Sequence, residues 1–217
     1  MNTILRSRSD ERTEPHGRLY RLRDGTTVLV RPILPEDKGR LMDGFRRLSP
    51  QSRYQRFMAA LSTLSESQLR TFTEVDYVNH MAWIALDPST PERLAVGVAR
   101  YIRLERQPAV AEVAVTVLDE YQGRGLGTFL LGLIGQTAGQ HGIETFRAYA
   151  FETNSAMVRI LRDLGAAVRH EGAGVLRLDV PVPRDVGCLP DSPTGRAFKA
   201  IAGGSGSVDQ STGRITP

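Results

Sequence analysis

Short apolar, β-branched stretches recur at residues 26–31, 82–86, 94–104, 109–118 and 145–151. The turn signals Asp24-Gly25, Asp87-Pro88 and Gln107-Pro108 each precede or end one of them. That pattern predicts strands joined by tight connections. Between the first two stretches the apolar period lengthens to three or four. Leu41, Phe45 and Leu48 follow Pro35, which suits the first turn of a helix, and Glu36 and Asp37 complement its positive end. Ser49-Pro50 opens a second short helix over 51–58. Ser65-Glu66-Ser67-Gln68 is a capping box for a third, with Leu69 and Phe72 facing inward. Gly97, inside a strand, marks either a bulge or a small packing position.

The chain is organised around 111–140. A run from Val113 to Leu118 leads into Gln122-Gly123-Arg124-Gly125-Leu126-Gly127, after which Leu126, Leu130, Leu133, Ile134 and Ala138 share one helical face. A strand that feeds a glycine turn and then a helix builds an anion site. Glycine lets backbone approach a ligand, and the first N–H groups of the helix have no internal partner. A strand at 145–151 follows. Asn154 then opens a helix whose apolar face is Met157, Ile160, Leu161 and Leu164, and Gly165 ends it. A hairpin of 167–170 and 175–180 closes around Gly172-Ala173-Gly174. The expected fold is α/β (α+β): a mixed, mainly antiparallel sheet with a right-handed β-α-β crossover at its centre and helices on both faces.

Composition bounds the rest. Charges with Pro15 and Gly17 at one end, and Gly203-Gly204-Ser205-Gly206-Ser207 at the other, suggest disordered tails over 1–17 and 184–217. The folded domain is expected over 18–183. No apolar run approaches the ~18–20 residues of a membrane span, and no apolar segment follows the basic start as in a signal peptide. A single cysteine, Cys188, excludes an internal disulfide and suits a reducing cytoplasm, the expected location. The net charge of +4 is carried by arginine, since Lys38 and Lys199 are the only lysines. Without a nucleic-acid module it implies no nucleic-acid partner. The four histidines and the cysteine have no metal-ligand spacing, so no metal is expected.

The glycine turn fits neither common nucleotide loop. In G-x-G-x-x-G the third glycine comes one residue later than Gly127, and no Gly-Lys-Ser/Thr follows for a P-loop. It resembles instead the acetyl-CoA loop of the GNAT superfamily of N-acetyltransferases, Gln/Arg-x-x-Gly-x-Gly/Ala, through Gln122, Gly125 and Gly127. The order of strands and helices over about 26–180 agrees with that family. The segments Leu48-Ser49-Pro50-Gln51-Ser52-Arg53-Tyr54-Gln55-Arg56-Phe57 and Val110-Ala111-Glu112-Val113-Ala114-Val115 resemble the acetyltransferase domain of bacterial protein-lysine acetyltransferases. The acyl-CoA synthetase-like or cyclic-nucleotide-binding regions of the long members have no room here.

The resemblance implies that the strands at 109–118 and 145–151 splay apart and hold pantetheine between them. Backbone groups of Val115, Thr116 and Val117 would bond its amides. Gly123, Arg124, Gly125, Leu126, Gly127 and Thr128 would meet the pyrophosphate, with Gln122 in the same motif, and the Arg124 side chain would add a charge-assisted bond. Asn154 would cap its helix and contact the donor. Acetyl transfer to an amine needs a proton acceptor, because a lysine is protonated near pH 7. Glu112 is the candidate base: it lies in an apolar strand, in phase with Ala114 and Thr116, where burial would raise its pKa. Its alternative is a carboxylate on the solvent face, or one paired with Arg100 or Arg103. Glu152 is a second choice of base. Where the family often has a leaving-group tyrosine this chain has Leu161, and Tyr149 is a weak substitute beside water. His80 and His141 read as packing and helix-end residues.

The expected activity is direct transfer from acetyl-CoA to a primary amine, with a protein lysine as the acceptor the resemblance points to. A small-molecule amine (antibiotic or metabolite) and a non-catalytic CoA-binding regulatory domain are the alternatives. No membrane is involved, and the molecule is expected as a monomer or homodimer.

Overall fold

The computed structural model describes residues 17–22, 24–182 and 191–202. Eight strands form one sheet. In chain order they are β1 (Arg18–Arg21), β2 (Thr27–Pro32), β3 (His80–Leu86), β4 (Ala95–Leu104), β5 (Gln107–Val117), β6 (Thr145–Phe151), β7 (Ala167–Gly172) and β8 (Val175–Pro181). The helices are α1 (Lys38–Arg47), α2 (Pro50–Phe57), α3 (Glu66–Thr73), α4 (Leu126–Gln140), α5 (Ser155–Asp163) and α6 (Pro193–Ala202). The sheet order is β1-β2-β3-β4-β5-β6-β8-β7. Every pairing is antiparallel except β5 with β6, which α4 joins as a parallel crossover. The mixed sheet agrees with the expected fold.

α1, α2 and α3 lie on one face and α4, α5 and α6 on the other. The larger core is on the α4 side, where Leu126, Leu130, Ile134 and Ala138 are fully enclosed against Val96, Ala99 and Tyr101. Gly97 is the reason α4 comes so close: a Cβ there would lie 2.9 Å from the Leu130 Cδ1 and 3.3 Å from the Leu126 Cδ2. It is a packing position, and the strand register shifts beside it, between Ala85 and Leu86.

Two elements depart from the expectation. β1 is absent from it, because an edge strand reading Arg-Leu-Tyr-Arg offers little apolar periodicity. Tyr20 secures it, its ring 4.5 Å from that of Phe129 on α4. The disordered C-terminal tail expected over 184–217 is corrected at α6, which docks on α4 and α5. Ser192 caps it, accepting from Gly195 N–H at 3.0 Å and donating to the Asp163 carbonyl at 2.8 Å. Phe198 enters the main core. The available signal is Ser192-Pro193, a cap followed by proline. Cutting Phe198 back to alanine is expected to cost about 3 kcal/mol, seen as a lower Tm with the β-sheet circular dichroism retained. Residues 1–16, Cys188 and residues 203–217 lie outside the described residues.

Candidate active site

Parallel pairing between β5 and β6 is confined to Val110–Glu112 against Thr145–Arg147. Beyond those residues the two strands have no ladder with each other, so one edge of each is left unpaired in the middle of the sheet. A cleft of about 620 Å³ occupies that gap. Val115, Thr116, Val117, Gln122, Gly123, Gly125, Gly127, Thr128 and Asn154 line it, with Ala148, Tyr149 and Ala150 opposite.

The glycine turn shapes one end. Gly123 and Gly125 have φ of 73° and 90°, values that L side chains avoid. Gly125 is the N-cap of α4, and no side chain caps that helix. α2, α3 and α5 are capped by Ser49, Ser65 and Asn154 respectively. The first N–H groups of α4 therefore remain for an anion, at the positive end of a 15-residue dipole. Gln122 closes the strand end, its Nε2 donating to the Val117 carbonyl at 3.1 Å. Asn154 accepts from Met157 N–H at 3.3 Å, as a cap should.

Leu126 and Arg124 do not line the cleft. Leu126 is fully buried in the core, so only its backbone belongs to the turn. The Arg124 guanidinium turns to the β1–β2 hairpin instead of the phosphate end. It donates to Thr26 Oγ1 at 3.1 Å, pairs with Asp24 at 3.2 Å and lies over the Tyr121 ring at 5.1 Å. Asp24 at the hairpin turn, invisible as a neighbour in the sequence, competes for it.

Glu112 projects from the face of the sheet that carries α2. Its parallel partner on β6 is Arg147, at the last paired position before the gap. The side chain is exposed, not buried as expected, because no helix closes over it. Of the two arginines weighed as partners, Arg103 points to the opposite face, where it donates to the carbonyls of Pro108 and, at 2.6 Å, His141. Arg100 lies on the same face but bonds the Phe72 carbonyl and His80. Glu152 stands at the far end of β6, its Oε1 2.9 Å from His170 Nδ1. Tyr149 lines the cleft and is 39% exposed.

The sequence does not place α2 across the gap, and that helix supplies residues it leaves unassigned. Ser52, Gln55 and Arg56 line the cleft from α2, Arg159 and Asp163 from α5, and Thr194 from α6. α2 is tied down at both ends. Asp119 accepts from Ser49 N–H (2.9 Å), Ser49 Oγ (2.8 Å) and Ser52 Oγ (2.7 Å). Partial burial would raise the Asp119 carboxyl, but these bonds outweigh it and hold it below the usual range. At the other end Tyr54 stacks on Phe151 of β6, 5.0 Å and 8° apart. Among the described residues no three His, Cys, Asp or Glu side chains gather as a metal site, and no helix is long and apolar enough to cross a membrane.

Known proteins share this arrangement. A model of the acetyltransferase (GNAT) domain matches residues 27–167. Acetyltransferase Pat of Mycolicibacterium smegmatis is 35% identical over 162 residues, 75% of this chain and 48% of that protein, so the chain spans about half the length of this relative. An acetyltransferase of Pseudomonas aeruginosa is 34% identical over 151 residues, 70% of this chain and 78% of its own. The crystal structure of the GNAT domain of S. lividans PAT superposes with a TM-score of 0.68 at 33% identity, covering 76% of this chain and 96% of that one. The family match over residues 27–167 takes in the split strands, the glycine turn, the uncapped α4 and the Asn154-capped α5: the chain belongs to the acetyltransferase (GNAT) family.

Proposed function

We propose that the protein transfers an acetyl group from acetyl-CoA to a lysine side chain of another protein, with Glu112 as general base. The observation that carries this reading is the unpaired β5–β6 gap, which ends at an uncapped helix on one side and opens beside Glu112 on the other. The edge of Val115–Val117 presents backbone groups that suit the amides of a pantetheine arm, as an added strand would. The turn at Gly123–Thr128 suits a pyrophosphate, and a Cβ on Gly123 would meet only open space there. When bound, acetyl-CoA supplies a thioester already activated for acyl transfer.

The chain's own residues then have three tasks. Backbone N–H groups on the freed edge of β5 face the position where a carbonyl oxygen gains charge. Glu112 takes a proton from the attacking nitrogen. The walls of the cleft hold donor and acceptor together, which by itself supplies much of the acceleration. Overall, the acceptor nitrogen exchanges one proton for the acetyl group, and the thiol leaves with a proton drawn from water. Leu161, 1% exposed, offers no acid at the position where the family resemblance implies a tyrosine.

A protein acceptor is favoured by the open face next to Glu112. Arg147, Tyr149 and Phe151 of β6 and Arg177 and Asp179 of β8 share it through the strand register. The helices of that half of the sheet pack on the opposite face, and α2 reaches only the β6 edge. An open sheet face accommodates a polypeptide better than it encloses a small molecule. Thiol release from acetyl-CoA, measured with lysine-bearing proteins and with small amines such as spermidine or an aminoglycoside, tests the reading. Turnover only with small amines overturns the acceptor, and binding of acetyl-CoA without any turnover overturns the activity. Gly125→Ala is expected to weaken acetyl-CoA binding about tenfold by calorimetry, since a φ of 90° is strained for alanine.

A further inference from the structure

Two guanidiniums bracket an aromatic pair on the acceptor side of the sheet. The Arg56 guanidinium carbon lies 4.9 Å from the centre of the Phe57 ring, and that of Arg100 lies 4.6 Å from Phe72. The two rings are 6.2 Å apart. Arg100 is buried, donates to the Phe72 carbonyl at 3.2 Å and meets His80 Nε2 at 3.2 Å. Arg56 lines the cleft, as do Ala114 and Thr116, the residues in phase with Glu112 on β5.

The surrounding charges do not cancel this pair. Burial and the neighbouring Arg56 bring Arg100 down to about 9, so it still carries its proton at pH 7. Burial lowers Arg56 as well, and Glu112 on β5 is the anion that pulls it back. His80 on β3 is pushed down to about 4 by burial and by Arg100, and is neutral at pH 7. Asp76, which burial alone would raise, is held at about 2 by the N–H groups of His80, Val78 and Asn79, and is engaged in its own loop. On β6, Arg147 is paired with Asp179 at 2.9 Å. Glu112 therefore balances Arg56 only in part, since the buried charge of Arg100 stands beside Arg56 as well.

We propose that Arg56, backed by Arg100, lowers the proton affinity of the lysine ammonium bound beside Glu112, so that the acceptor enters the reaction as a free amine. This rests on the reading of a lysine acceptor given above. A lysine in water has a pKa of ~10.4, and a cation close by lowers it. The ammonium gives its first proton to water on binding. The amine nitrogen then forms its bond to the acetyl carbon while the second proton passes to Glu112 and the carbon–sulfur bond breaks.

The test uses the full chain with CoA bound, which permits no turnover, and a blocked lysine peptide labelled with carbon-13 at Cε. The NMR titration of the bound lysine is expected to fall at least about one pH unit below that of the free peptide. Arg56→Gln is expected to return it most of the way, and Arg56→Lys to restore the depression. With acetyl-CoA in place of CoA, single-turnover transfer by Arg56→Gln should need a pH about one unit higher for the same rate. An unshifted bound lysine in the unaltered protein, or the same shift in Arg56→Gln, overturns the inference while leaving lysine acetylation standing. Absence of lysine binding and of lysine turnover in the unaltered protein overturns both.

Discussion

Glu112→Gln is expected to slow acetyl transfer by about 10²–10⁴-fold, the usual contribution of a positioned general base. The amide keeps the shape and a hydrogen-bonding oxygen but accepts no proton. Glu112 does not line the donor cleft, so acetyl-CoA affinity should change little, and the loss should fall on the rate of transfer. What activity remains should climb with pH, because hydroxide and bulk water replace the carboxylate as proton acceptor. Single-turnover rates from pH 6 to 10, with calorimetric donor binding as a control, check the result. Turnover in Glu112→Gln that follows the unaltered enzyme across that range would remove the carboxylate from the mechanism.

The second large effect concerns stability. Asp37→Ala is expected to destabilise the fold by about 3–5 kcal/mol, because it leaves a guanidinium enclosed without its anion. Arg31 and Asp37 are 1% and 0% exposed and meet through two bonds of 2.6 and 2.7 Å. Asp37 also accepts from Leu34 N–H at 2.9 Å and from Arg40 at 3.0 Å. These contacts close the corner between β2 and α1 and so set where the α1–α3 layer begins. Burial alone would raise the Asp37 carboxyl, but the bonds and charge of Arg31, with Leu34 N–H and Arg40, hold it below the usual range. A folded-state pKa below the unfolded value of ~3.9 means that the contribution is complete above about pH 5. It is lost as the pH falls through the folded value. Urea unfolding between pH 2.5 and 7 should show this slope in the natural chain and a flatter one in Asp37→Asn. The double replacement Arg31→Met with Asp37→Leu should cost less than either single change, since no buried charge is then stranded.

Much of the architecture was legible in order along the chain. The strand at 145–151 coincides with β6, and the capping box at Ser65 and the cap at Asn154 start α3 and α5 where they were expected. Each of these depends on neighbours within a few residues: alternation, a cap, a glycine with positive φ. β1 was missed because four residues offer little periodicity, and α6 because prolines and glycines flank it on both sides; the apolar residues of each matter only against a partner. Tyr20 needs Phe129, and Phe198 needs the core between α4 and α5.

The site divides in the same way. By itself the sequence determined the glycine turn, the strand before it and the position of Glu112 on that strand, because spacing and periodicity are local properties. Only the tertiary structure decided where the strands part, that α2 spans the gap, and that Glu112 stands exposed. It also turned Arg124 toward Asp24 and brought Arg56 up to Arg100, 44 positions further along the chain. Those outcomes depend on strand register and on which side chains win a shared space, and both are settled only when distant segments pack together.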